Sequence, residues 1–275
     1  MRTFVRNSNF QKPWTGNCNL STPEIDPKEI VSAFAKGLDV IKAFGADHAE
    51  MTLSEVANTT GLTRATARRS LLTLQSLGYV AVEGRGFRLT PRILELGYSY
   101  LSGLSFIERI DPLLADIART TGESCSLSVL DELDVVYVAR RTNNHIMSVT
   151  LNVGTRLPAS HTSMGRVLLS ALMPDELQQR ISQMRFKAYT RQSLQSPDQL
   201  SQAIESTRQN GFSLVDQELE EGLRSLAVPL YNSRGEVVAA LNVGCSALKV
   251  STGKMLNEYL PVLLDAQRKA KELLA

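Results

Sequence analysis

Three features of this 275-residue chain predict an α+β fold in two domains. Residues 52–92, TLSEVANTTGLTRATARRSLLTLQSLGYVAVEGRGFRLTPR, hold two short helical patterns that meet at a glycine. A hairpin pattern with a basic tip follows. From Glu123 onward, strand patterns are separated by irregularly placed helical ones, which suggests an antiparallel sheet with helices and not a regular βαβ array. Between the two blocks lies a helical segment that is apolar on more than one side. The first block has the order of a winged helix-turn-helix, and the second reads as a sensor-like domain.

The elements follow in chain order. Residues 1–27 are polar, with Pro13, Pro23 and Pro27, and read as a flexible arm. A helix is expected from about Lys28, because Ile30, Phe34, Leu38 and Ile41 share one helical face. Thr52 is placed to cap a short helix over Leu53–Thr59, with Glu55 at the capping-box position. Gly61 marks the turn. Thr63 is placed to cap a longer helix to about Leu77, and Gly78 stops it. Tyr79–Glu83 and Phe87–Thr90 are strand candidates joined by Gly84-Arg85-Gly86. The winged unit is therefore expected over residues 28–90.

Pro91 suits the first turn of a new helix. Ile93, Leu94, Leu96, Tyr98, Leu101 and Leu104 make that helix apolar around its girth, as a linker shared between domains or subunits requires; it is expected over 91–106. The second domain, 107–275, should open with a helix over Asp111–Thr121. Ser124–Asp131 and Asp134–Arg140 read as a hairpin, and Met147–Val153 as a third strand. Gly165–Leu172, Pro174–Gln183 and Ser196–Gln209 read as helices. Leu226–Tyr231 and Glu236–Val243 are strands around the turn Asn232-Ser233-Arg234-Gly235. Gly253–Leu274 closes the chain as a long helix.

Composition narrows the function. No apolar run approaches the roughly 18 residues of a spanning helix, and the first 20 residues lack a signal-peptide core. A cytoplasmic protein without membrane contact is expected. Cys18, Cys125 and Cys245 stand far apart with no CxxC or Cys/His cluster, so no zinc site or disulfide framework is expected. The net charge of +2 is unevenly spread. Residues 61–92 hold Arg64, Arg68, Arg69, Arg85, Arg88 and Arg92 against a single acid, Glu83, whereas the chain after residue 92 holds 18 basic and 20 acidic residues. A local basic patch on a nearly neutral body suits a module that meets phosphates.

On the helix that follows Thr63, Ala67, Leu71 and Leu74 share the inward face. Ala65, Thr66, Arg68 and Arg69 face outward, small and basic enough for the major groove of double-stranded DNA. The helix N-terminus at Thr63 favours a phosphate. Arg85 at the wing tip, with Arg88 behind it, is placed for backbone or minor groove. A lone Arg-Arg pair would more simply be a solvated face; the capped helices, the turn and the basic hairpin together point to DNA.

With these segments in view, the chain resembles the IclR family of bacterial transcription regulators over residues 30–272. The likeness is carried by FAKGLDVIKAF, LSEVANTTGLTRATARRSLLTLQSLGYV, FRLTPRILELG, VGTRLPASHTSMGRVLLSAL and GFSLVDQELEEGLRSLAVPLYNSRGEVVAALNV. Its GTRLPA, TSMGRVLL and LTPRILELGYSYLSGL phrasing is most similar to the β-ketoadipate-pathway group, whose effectors are protocatechuate, 4-hydroxybenzoate or β-ketoadipate. The resemblance implies a linker helix and a GAF/PAS-like effector domain. It also implies a homodimer or tetramer on palindromic promoter DNA, acting as activator or repressor, with RNA polymerase an open further partner. By position, the family pocket falls on Ser163, Met164, Asp216, Ser225 and Asn242. This chain has Ser225 where many members have Cys, and Ser160 where many have His.

A carboxylate effector needs hydroxyl or backbone donors and a cation. Ser163 precedes a predicted helix, and Arg140, Arg141, Arg156 and His161 lie nearby in sequence. No cofactor or metal is expected. Two other readings stay open. Ser163, His161 and Asp216 invite a hydrolase, but His-Thr-Ser-Met-Gly is not a GxSxG elbow. A winged helix can also serve protein contacts.

Overall fold

In the computed structural model the described residues are 26, 28–45, 47–104, 106–142 and 151–274. The chain divides between Gly103 and Leu104 into two compact units. The expected arm, up to residue 25, lies outside the described residues.

The N-terminal unit holds α1 (Ser32–Lys42), β1 (Glu50–Thr52), α2 (Leu53–Thr60), α3 (Arg64–Ser76), β2 (Val80–Glu83) and β3 (Gly86–Leu89), then a 3-10 turn (Pro91–Ile93) and α4 (Leu94–Leu101). Thr52 and Glu55 form the full capping box of α2, and Gly61 ends that helix at φ 67°. Thr63 caps α3. Ala67, Leu71 and Leu74 bury the inner face of α3 against Val40, Met51, Val56 and Val80. The three-stranded sheet runs β1-β3-β2. Glu83 pairs with Gly86 around Gly84-Arg85, a two-residue turn with Gly84 at φ 60°, a conformation that favours glycine.

Two expectations change here. The first helix begins at Ser32, four residues later than Lys28, because residues 28–30 form a turn in which the Lys28 N–H is held by Asp26 Oδ1 at 3.0 Å. Of its expected apolar face, Ile30, Phe34 and Leu38 stay exposed, and Val40 is the buried residue. Strand β1 was not anticipated: three residues cannot display a period of two.

The C-terminal unit holds α5 (Phe106–Thr121), β4 (Ser124–Asp131), β5 (Asp134–Arg141), β6 (Arg156–Pro158), a 3-10 turn (Ala159–His161), α6 (Ser163–Ser170), α7 (Pro174–Gln183), α8 (Pro197–Asn210), β7 (Ser213–Asp216), β8 (Leu223–Tyr231) and β9 (Val237–Ser246). One turn of α9 (Thr252–Lys254), a π-helical turn (Met255–Tyr259) and α10 (Leu260–Leu273) close the chain. The six strands form one antiparallel sheet in the order β6-β5-β4-β9-β8-β7. Alternation along each strand sends side chains to opposite faces. Leu127, Leu226, Val228, Leu241 and Val243 lie on the face that α5 and α10 cover; Ala227 and Ala240 lie on the face that α6 and α8 cover.

Helix α5 starts at Phe106 and runs through Pro112, where a start at Asp111 was expected. Burial of Ile110, Leu114, Ile117 and Ala118 on either side of the proline offsets its missing hydrogen bond. Of the expected strand Met147–Val153, residues 147–150 lie outside the described residues and 151–153 are loop. The edge strand is β6 instead. Strand β7 was not anticipated either. The closing helix is interrupted by the π turn just ahead of Pro261, whose nitrogen has no hydrogen to donate.

Candidate nucleic-acid interface and effector cavity

On α3, Ala65, Arg68 and Arg69 are exposed and Thr66 is half-buried. Thr63 Oγ1 accepts the Thr66 N–H at 3.2 Å and donates to Thr66 Oγ1 at 2.9 Å. The two threonines therefore fix the helix start from which the arginines project. Arg64, one turn ahead of Arg68, is exposed as well, and Arg85 sits exposed at the hairpin tip. Among the described residues, the ion pairs of this unit fall on Lys42, Arg88 and Arg92. Among the described residues, Arg64, Arg68, Arg69 and Arg85 have no carboxylate partner. Arg88 is held by Glu83 at 3.4 Å and does not share that freedom.

The second feature is a cavity between the α6 face of the sheet and the N-terminus of α6. Its floor comes from register. Ser126 stands between Arg140 on β5 and Asn242 on β9, and one step along, Gly244 stands between Ser124 and Ser225. A β-bulge skips Val138, so Ser126 pairs with Arg140 and Ser128 with Tyr137. Tyr137 and Arg140, an odd number of residues apart, thus both face the cavity. Leu151, Leu157, Val215 and Leu223 supply apolar wall, and His161, Ser163, Met164 and Glu218 close the end at α6.

Three of its polar atoms are buried without a hydrogen-bond partner among the described residues: Arg140 Nε, Ser163 Oγ and Asn242 Oδ1. Such atoms are costly when left unpaired in a folded protein. Arg140 Nη1 reaches Ser126 Oγ at 3.2 Å. Desolvation pulls the Arg140 pKa below its usual value. The His161 ring nitrogens are both engaged: Nε2 donates to the Leu194 carbonyl at 3.2 Å, which leaves Nδ1 to accept from Ser160 Oγ at 2.7 Å. His161 therefore offers the cavity its ring and no free nitrogen. Burial lowers its pKa and favours the neutral form. Glu218 is bound by Arg166 Nη2 in an almost fully buried pair.

The structure thus brings together Ser163, Met164, Ser225, Asn242 and His161 around the cavity, and it does not bring Asp216 or Arg156 there. Asp216 follows Val215 on β7, and adjacent strand residues point to opposite faces. Val215 lines the cavity, whereas Asp216 accepts a two-pronged contact from Arg224, Nε at 2.9 Å and Nη2 at 2.8 Å. Arg156 lies on the edge strand and is bound by Asp131 and, at 3.2 Å, by Asp134. Sequence reading left out Ser124, Ser126, Tyr137, Glu218 and Gly244. The alternation Ser124, Ser126, Ser128 was a legible signal, since a polar period of two on a central strand means a polar stripe on one sheet face. Among the described residues no cluster suited to a metal ion occurs, and no helix is long and apolar enough to cross a membrane.

A winged helix-turn-helix with an unpaired basic face, in one chain with a unit that encloses a cavity with orphaned polar atoms, defines a DNA-binding transcription regulator with a ligand-binding domain. The chain belongs to the IclR family: the IclR helix-turn-helix domain matches residues 33–84, and the bacterial transcriptional regulator IclR C-terminal domain matches 98–271. It is similar to the Pca regulon regulatory protein of Pseudomonas putida, 39% identical over 88% of this chain and 84% of that one. The p-hydroxybenzoate hydroxylase transcriptional activator of Acinetobacter baylyi is 33% identical over 92% of this chain and 95% of its own length. A crystal structure of a regulator from Rhodococcus sp. RHA1 superposes with a TM-score of 0.80 at 45% identity, covering 89% of this chain and 98% of that one.

Proposed function

We propose that this protein controls genes of aromatic-acid catabolism by binding promoter DNA and a small carboxylate of the protocatechuate, 4-hydroxybenzoate or β-ketoadipate class. The observation that carries the reading is the set of orphaned atoms, Arg140 Nε, Ser163 Oγ and Asn242 Oδ1, around one cavity. A ligand with an anionic oxygen for Arg140 Nε and a hydroxyl to donate to Asn242 Oδ1 satisfies them, and Ser163 Oγ donates or accepts as required. The names of the Pseudomonas putida and Acinetobacter baylyi relatives support the pathway. The DNA contacts fall to Thr63, Ala65, Thr66, Arg68, Arg69 and Arg85. The effector contacts fall to Ser163, Met164, Ser225 and Asn242, with His161 as wall.

The protein acts as a cytoplasmic homodimer or tetramer and is not an enzyme. Ile30, Phe34, Leu94, Leu96 and Tyr98 are large, apolar and exposed in the DNA-binding unit, which supports self-association. Where it activates, RNA polymerase is a further partner. A ligand shifts the DNA-binding equilibrium only by its differential affinity for the two states. A thermal-shift screen of aromatic and dicarboxylic acids tests the proposal. A member of the class should raise the melting temperature in a concentration-dependent way; no shift with any of them refutes the effector assignment.

A further inference from the structure

The cavity has two chemically different ends, and they orient what enters it. At one end Arg140 and Ser126 stand side by side across β5 and β4, with Asn242 next in the row on β9. At the other, α6 presents the buried Ser163 beside Glu218 and His161. We infer that Arg140 is the counter-ion of the effector carboxylate and the residue that selects acids over their neutral analogues, with the carboxylate held by Arg140 and the Ser126 hydroxyl, and the hydroxyl-bearing end of the ligand turned toward Asn242 Oδ1 and Ser163. This rests on the cavity being the effector site.

The charges around Arg140 carry the argument. Asp111 holds Arg141, the next residue of the strand, and Glu218 of the cavity lining holds Arg166; among the described residues no ion pair includes Arg140. Residues 143–150, which follow its strand, contain no Asp or Glu. The ionisable groups that act on Arg140 are Tyr137 and Cys125, and burial pushes these up to about 12 and about 11, so both are neutral near pH 7. A half-buried guanidinium without a counter-ion is unfavourable unless an anion joins it.

The α6 end lacks that need. Thr162 Oγ1 already takes the Gly165 N–H at 3.1 Å, and Arg166, the cation at that end, is already held by Glu218. A hydroxyl fits there, because Ser163 Oγ is unpartnered and donates or accepts as required.

The test is calorimetric titration of the full chain with 4-hydroxybenzoate and 3,4-dihydroxybenzoate, each beside its amide. For any acid that binds, the wild-type protein should prefer it over the amide by about tenfold or more, the range of a hydrogen bond to a charged group. Arg140→Gln should remove that preference by weakening the acid alone, and Arg140→Lys should keep part of it. Ser163→Ala should weaken acid and amide by a similar factor. An acid-to-amide ratio near one in the wild type, or an unchanged ratio in Arg140→Gln, overturns the assignment of Arg140. The wild-type ratio decides even if the variant does not fold. Failure of every acid to bind refutes the effector site itself, a separate result.

Discussion

Arg92 donates through Nη1 to the main-chain oxygen of Leu77 at 2.8 Å, joining the C-terminus of α3 to the start of the linker helix. The same guanidinium lies over the Tyr79 ring at 5.5 Å and pairs with Glu95 at 3.4 Å. Thr90 Oγ1 adds a second tie, to the Gly78 carbonyl at 2.6 Å. The orientation of α3 is thus fixed at its end as well as at its Thr63 cap. Arg92→Ala should destabilise the winged unit by roughly 1–2 kcal/mol, less than the sum of one charged hydrogen bond and one cation–π contact because the side chain is half exposed. Urea unfolding measures this. DNA affinity should fall with it, while effector affinity stays unchanged; a variant as stable as wild type would show the tie to be ornamental.

Arg68 and Arg69 project from α3 without carboxylate partners. Each Ala substitution should weaken promoter binding by about 1–3 kcal/mol if the side chain reads a base. If it meets phosphate, the slope of log affinity against log salt should fall by about one. Fluorescence anisotropy over a salt series separates the two. Effector titrations should be unaffected. Unchanged DNA binding in both variants removes α3 as the recognition helix.

Gly165 sits where α6 crosses the Ala159 backbone. A Cβ built on it would lie 2.1 Å from the Ala159 carbonyl oxygen and 2.3 Å from its Cα. Both are backbone atoms and cannot swing aside. Gly165→Ala should therefore displace the N-terminal turn of α6, costing about 1–3 kcal/mol or more as overpacking does, and should abolish effector binding at Ser163. Retained effector affinity with a lowered melting temperature would show that the turn absorbs the methyl without moving the cavity.

His161 is buried, and burial lowers its pKa from the ordinary 6.5. The native state thus holds it neutral where the unfolded chain takes up a proton. The sign follows from linkage: stability is full above about pH 6.5, and it declines as the pH falls below that value, because the unfolded state binds more protons there. His161→Gln should flatten this slope between pH 7.5 and 5.5 in urea midpoints. An equal slope in both proteins would assign the acid sensitivity elsewhere.

The winged unit was legible because its signals are local. Thr52, Glu55, Gly61, Thr63 and Gly84 each act within a few residues, and the structure uses each of them at its expected place. The cavity was legible only in part. Ser163, Met164, Ser225 and Asn242 line it, but Asp216 and Arg156 do not. Asp216 is displaced by a strand alternation that one residue of register reverses. Arg140 entered as one of three arginines near strand ends. What separates it from Arg141 and Arg156 is a β-bulge and the ion pairs that Asp111, Asp131 and Asp134 make with the other two across more than twenty residues of sequence, neither of which leaves a local pattern.

The central claim is that an acid bound in the C-terminal unit alters DNA binding by the winged unit. Anisotropy titration of the full chain onto its promoter DNA, with and without saturating acid, tests it most directly. The account predicts specific binding whose midpoint or occupancy shifts with the acid in the wild type and does not shift in Arg140→Gln at the same acid concentration. Titration curves that coincide with and without every acid of the class would contradict it.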